Sequence, residues 1–189
     1  MDESVSRTAP ASGGLPVSQS LHSLNSAEAR IVEAIAARIF PTTDTPGATE
    51  AGAVFYIDRL LHKAYPSLLS TYQMGCAAAD RHARKKFKQP FAALPPEKQD
   101  AVLRDFEQAK VPAYAKADRF FSLVRRHTME GVLGEPSYGG NRNLVGWRLV
   151  GFPGQQFGYP DPYINRVVDL EPVAMDAAYP QEEALHGKR

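Results

Sequence analysis

Asn25-Ser26-Ala27-Glu28-Ala29-Arg30-Ile31-Val32-Glu33-Ala34-Ile35-Ala36-Ala37-Arg38-Ile39-Phe40-Pro41 is a helix written with its own start and stop. Asn25 and Glu28 have capping-box spacing: the Asn side chain accepts from an early backbone N–H, and the Glu reaches back to the cap. Ile31, Ile35 and Ile39 recur every four residues with Val32 beside them, laying an apolar stripe along one helical face. Pro41 ends the run, because its ring breaks the hydrogen-bond ladder and restrains Phe40 before it.

The same texture repeats downstream. Thr42 to Gly47 reads as a turn, and Pro46 suits the first turn of a second helix. Val54, Ile57, Leu61 and Leu68 continue an apolar face, which Pro66 divides into helices over 47–64 and 66–86. Leu68, Tyr72 and Cys76 recur every four residues in the latter. Leu94-Pro95-Pro96-Glu97 opens a fourth helix, with Val102, Leu103 and Phe106 as its buried stripe. Pro112 breaks the pattern. A fifth helix over 113–131 carries Phe120, Leu123, Val124 and His127 on one side, with Gly131 and Gly134 closing it. A short helix centred on Trp147 is expected within 143–150. The predicted fold is mainly α: a single irregular bundle of about five helices with a loop-rich, partner-wrapping C-terminal segment. Residues 1–24 read as a disordered leader, 25–160 as the helical domain and 161–189 as an extended tail.

Composition narrows the function classes. Of 189 residues, 43% are hydrophobic, enough for one domain with a core. Lys+Arg is 22 and Asp+Glu 21, so the formal net charge is +1 and no global field steers the chain to nucleic acid or an acidic membrane. The cations at Arg81, His82, Arg84, Lys85, Lys86 and Lys88 fit a solvated helix end, where they complement the dipole; binding of phosphate or an acidic partner is the alternative. Cys76 is the one cysteine, so the chain closes no internal disulfide. Amid small and apolar neighbours it reads as a buried hydrophobe rather than a reactive thiol. No apolar run reaches the roughly 20 residues that span a bilayer. The stretch Met1 to Leu24 has neither an apolar signal core nor paired arginines.

Motifs for catalysis are sparse. The chain contains no G-x-G-x-x-G, phosphate-binding loop, G-x-S-x-G or H-E-x-x-H pattern. His127 and Glu130 share a helical face at i, i+3, the order opposite to the Glu-x-x-His pairs of helical metal sites, and nothing repeats it. The alternative to a metal enzyme using these two is a histidine satisfied by a local hydrogen bond beside an exposed glutamate. Asp44, Asp58 and Asp118 have no obvious acid–base partner. The sharpest feature is aromatic: Tyr138, Trp147, Phe152, Phe157, Tyr159 and Tyr163 lie among glycine-rich turns. Such residues suit a protein interface. They also suit stacking on sugars or bases in a stand-alone carbohydrate- or nucleic-acid-binding module, or a local mini-core that caps the bundle.

Three blocks resemble the gluconate 2-dehydrogenase subunit 3 family. The first is Ile39-Phe40-Pro41-Thr42-Thr43-Asp44-Thr45-Pro46-Gly47-Ala48 running into Ala51-Gly52-Ala53-Val54-Phe55-Tyr56-Ile57-Asp58. The second is Phe91-Ala92-Ala93-Leu94-Pro95-Pro96-Glu97-Lys98-Gln99. The third and most specific is Glu130-Gly131-Val132-Leu133-Gly134-Glu135-Pro136-Ser137-Tyr138-Gly139-Gly140-Asn141, followed by Gly146-Trp147 and Gly151-Phe152-Pro153-Gly154. The resemblance implies a non-catalytic small subunit carrying no cofactor of its own. It implies a large FAD-containing catalytic subunit of the glucose–methanol–choline type as partner, often with a cytochrome c subunit. It also implies a role in stabilising that partner and often in its twin-arginine export, hence a periplasmic complex. The stretch Met1 to Leu24 departs from that pattern, which keeps a cytoplasmic complex open. The expected partner-binding residues are Tyr138, Gly139, Gly140, Asn141, Trp147, Phe152, Pro153, Phe157, Tyr159 and Tyr163.

Overall fold

The computed structural model describes residues 20–154 and 171–174, and it is mainly helical. Seven α-helices occur among those residues: α1 (Ser26–Ile39), α2 (Ala48–Ala51), α3 (Ala53–Arg59), α4 (Leu69–Phe87), α5 (Pro96–Glu107), α6 (Ala117–Leu133) and α7 (Val145–Val150). Helix α1 starts as its sequence dictates. The Asn25 side chain accepts from the Ala27 and Glu28 N–H groups, each at 2.9 Å, and the Asn25 N–H donates back to Glu28 at 3.0 Å. Its stripe shifts slightly from the isoleucine row: Val32, Ile35 and Ala36 are buried, while Ile31 and Ile39 pack at the margin.

The second predicted helix is two helices. Gly52 adopts a left-handed conformation (φ +70°) between α2 and α3, a geometry that glycine accepts without strain. A side chain there would also strike the Arg142 guanidinium. Pro46 lies before the start of α2, because Gly47 is the N-cap. The Glu50 carboxylate closes that start, accepting the Thr42 hydroxyl at 2.7 Å and the Gly47 N–H at 2.8 Å. The Thr42 hydrogen bond, reinforced by that of Gly47, holds Glu50 below the usual carboxylate range. Helix α3 runs into one wide π-type turn, Leu60–Ala64, before Pro66 begins a new direction.

Helix α6 lies at the centre, packed against α3 and α5 most extensively and touching α1, α2, α4 and α7 as well. Tyr72 and Cys76 of α4, Phe106 of α5 and Phe120 and Val124 of α6 meet in the main core with Val32, Ile35 and Ile57. Tyr72, Phe106 and Tyr114 each set a ring edge-on to Phe120, and Phe106 and Tyr114 are tilted toward each other, with centroids 5.8–6.4 Å apart. A second cluster of small residues, Ala36, Ala48, Ala51, Ala53 and Val132, joins α1, α2, α3 and α6. The cationic run ends α4 with Arg81, Arg84, Lys85, Lys86 and Lys88 exposed. His82 and Lys86 both bind Asp105 of α5. Burial raises the Asp105 pKa, but the His82 and Lys86 bonds outweigh it and the net shift is downward.

Residues 22–24, which the sequence assigns to the leader, are pinned in place. The buried Asp58 of α3 accepts the backbone N–H groups of His22, Ser23 and Leu24 at 2.6, 2.9 and 2.8 Å. Leu24 is buried in the main core. Asp58 is thus a structural anchor for a strap that leads into α1. Residues 1–19 and the predicted tail over 161–170 and 175–189 lie outside the described residues.

Candidate docking surface

The glycine- and aromatic-rich stretch after α6 folds back over the end of that helix. A helix leaves its last four carbonyls without intrahelical donors; here the following segment supplies several. The Gly134 N–H closes on the Glu130 carbonyl at 2.8 Å and the Asn141 N–H on that of Gly131 at 2.7 Å. Trp147 Nε1–H donates to the Leu133 carbonyl at 2.7 Å. Fully buried Asn141 spends its side chain twice: Nδ2 donates to the Gly134 carbonyl and Oδ1 accepts from the Gly146 N–H, both at 2.9 Å. Gly140 lies against the Gly131 carbonyl so closely that a Cβ would sit 2.0 Å from its oxygen. Gly131 itself is buried within α6 rather than closing it; the helix continues to Leu133.

This arrangement sorts the expected partner-binding residues by direction. Gly139, Gly140, Asn141 and Trp147 are buried and hold the segment to the helix end. Tyr138 (63% exposed) and Phe152 (46%) face outward, although Phe152 sets its ring edge-on to Trp147 at 4.9 Å. Pro153 is half-buried, and Phe157, Tyr159 and Tyr163 lie outside the described residues. The structure adds Leu149 (44%) and Val150 (58%) on the outer side of α7, and exposed Val173 beside Gly154. Val173 returns to this surface through its N–H on the Pro153 carbonyl at 3.1 Å, and Glu171 pairs with Arg148 at 3.5 Å. Leu149 had a signal in the sequence: with Trp147 turned inward, a helix turns the residue two positions on to another face; Val150, three positions on at the last turn of α7, had none.

The segment is also tied to α3. Arg59 donates to the Ser137 carbonyl at 3.1 Å, and Arg142 stacks on Phe55 with its guanidinium carbon 4.1 Å from the ring centroid. Burial, with Arg59 nearby, lowers the Arg142 pKa.

His127 and Glu130 take different tyrosine hydroxyls as partners and share Arg126. His127 is buried; its Nδ1 shares a 2.9 Å hydrogen bond with the Tyr72 hydroxyl on another helix, and its Nε2 lies 3.4 Å from the guanidinium of the neighbouring Arg126, so a local partner and a distant one both serve the ring. The Tyr56 hydroxyl donates to Glu130 at 3.0 Å, and Arg126 flanks the same carboxylate at 3.7 Å. Burial, then the Glu130 charge and its hydrogen bond, raise the Tyr56 pKa. Among the described residues, no group of three or more His, Cys, Asp or Glu side chains is placed to hold a metal ion. Cys76 is buried, which pushes its thiol up to about 12.

Residues 26–154 match the family described as gluconate 2-dehydrogenase subunit 3. The chain belongs to that family. The matched stretch runs from the start of α1 to Gly154, and so takes in the whole cap over α6. No curated protein and no solved structure matches the chain significantly. By its description the family is the third subunit of a dehydrogenase. No helix among the described residues is long and apolar enough to cross a membrane.

Proposed function

We propose that the chain is a non-catalytic accessory subunit that docks on, and stabilises, the FAD-containing catalytic subunit of a sugar or glycoside dehydrogenase complex. The observation that carries this reading is the outward apolar set Tyr138, Leu149, Val150 and Phe152, displayed on the segment that caps α6. Large exposed apolar groups gathered on a rigid support suit a buried interface better than open water. Family membership supports a dehydrogenase complex as the setting for such an interface. FAD is assigned to the partner, as is the chemistry on the sugar hydroxyl. In this chain Gly140 packs against the Gly131 carbonyl of α6 and Gly139 lies beside the Arg59 side chain. A cytochrome c subunit would accept electrons from the flavin subunit without involving this chain. The compartment, periplasmic for an exported complex, follows that of the catalytic subunit.

The test is co-purification. The chain is co-expressed with a flavin-dependent sugar dehydrogenase catalytic subunit from the same genome, as wild type and as a Leu149→Ser, Val150→Ser, Phe152→Ser variant. These substitutions spare Asn141 and Trp147, so the α6 cap survives and circular dichroism should be unchanged. Loss of the catalytic subunit from the purified variant is expected. Retention at wild-type yield would sink the reading.

A further inference from the structure

The strap that leads into α1 brings together two exposed histidines that the docking reading does not use. His22 sits on the strap and His62 in the π-type turn after α3; their ring centroids are 5.1 Å apart and their planes are inclined by 28°. Both residues are exposed to solvent. Their proximity is built rather than incidental, because Asp58 fixes the strap backbone through three N–H bonds, the shortest being that of His22 itself at 2.6 Å. Two imidazoles in neighbouring positions of a tetrahedral ion, each at a metal–nitrogen distance of about 2.0–2.1 Å, bring their centroids to roughly 5 Å apart. The observed separation meets that requirement before any metal binds. Rotation about Cβ–Cγ, which leaves each centroid nearly in place, would turn one nitrogen of each ring to a common ion.

We infer that His22 and His62 form a two-histidine site for a late first-row divalent cation such as Zn²⁺ or Ni²⁺. Imidazole is a favoured ligand for these ions, and solvent supplies the remaining positions. Asp58 is buried under the strap with its oxygens occupied by backbone N–H groups, so it orients His22 without binding the ion. Bound metal would staple the strap to the turn after α3, and would stabilise the fold by mass action because the unfolded chain does not hold the two rings together.

The experiment uses the untagged full chain and Zn²⁺ alone, followed by calorimetric titration and by thermal melting. One equivalent should bind and raise the Tm. His22→Gln and His62→Gln should each weaken binding about tenfold or more and remove the Tm increase, while melting like wild type without metal. His82→Gln, whose ring serves Asp105, should bind Zn²⁺ as wild type does. Absence of stoichiometric binding overturns the proposal. So does binding that persists unchanged in both single variants, since the ion would then sit elsewhere.

Discussion

His127 is the residue through which solution pH reaches the interior. Burial drives its pKa below the ordinary histidine value of about 6.5, against the pull of Glu130 and with a further push from Arg126. The unfolded chain therefore takes up the proton at higher pH than the folded one. The contribution to stability is complete above about pH 6.5 and falls as the pH drops below it toward the folded-state pKa, by at most about 1.4 kcal/mol per pH unit for one proton. Urea denaturation between pH 7.5 and pH 5 should show a shallower acid loss for His127→Gln than for wild type. Equal slopes would mean that His127 is not held neutral. The periodicity of α6 placed this residue on the buried face correctly, but its partner was not readable. Tyr72 is 55 residues away on another helix, and spacing along one chain carries no record of which helices become neighbours.

At the scale of the element, boundaries set by a local residue were legible, as at Asn25 and Pro41, and one fastened by chain returning from further on was legible only in part. Asn25 with Glu28, and the Pro95-Pro96 pair, mark starts through local chemistry that acts within four residues. The end of α6 depends also on what comes back to meet it. Gly131 reads as a stop yet lies inside α6, where Tyr56 and Ala53 of α3 leave little room for a side chain. The true end is defined by Asn141 and Trp147, which arrive from the following segment. Asn141→Ala should cost about 2–4 kcal/mol, since it strips the Gly134 carbonyl and the Gly146 N–H of their partners in a buried place. Asn141→Asp, which keeps the acceptor and loses the donor, should fall between wild type and alanine. Chemical denaturation of the three proteins checks the order, and an alanine variant as stable as wild type would show that the cap is dispensable.

For the whole molecule, the helical class and the order of its elements followed from periodicity and proline placement, because burying a stripe is a demand each helix makes by itself. The split at Gly52 did not follow, since a left-handed residue inside an apolar run leaves the run unbroken. Nor did the pinning of residues 22–24, whose only sequence trace is Asp58 standing on an otherwise apolar face. Without its partner the chain leaves Tyr138, Leu149, Val150 and Phe152 in water, so purified alone it should self-associate with rising concentration. The Leu149→Ser, Val150→Ser, Phe152→Ser variant should stay monodisperse in light scattering; equal association of both proteins would count against an adhesive face there. From Gly134 to Gly154, residues turned toward the helix end alternate with residues turned away from it. The two sets answer to different demands: one keeps the fold, the other meets whatever lies outside. Exchanges at the outer positions leave the bonds of the inner ones intact, so a few of them would be enough to readdress this scaffold to a new assembly without disturbing its folding.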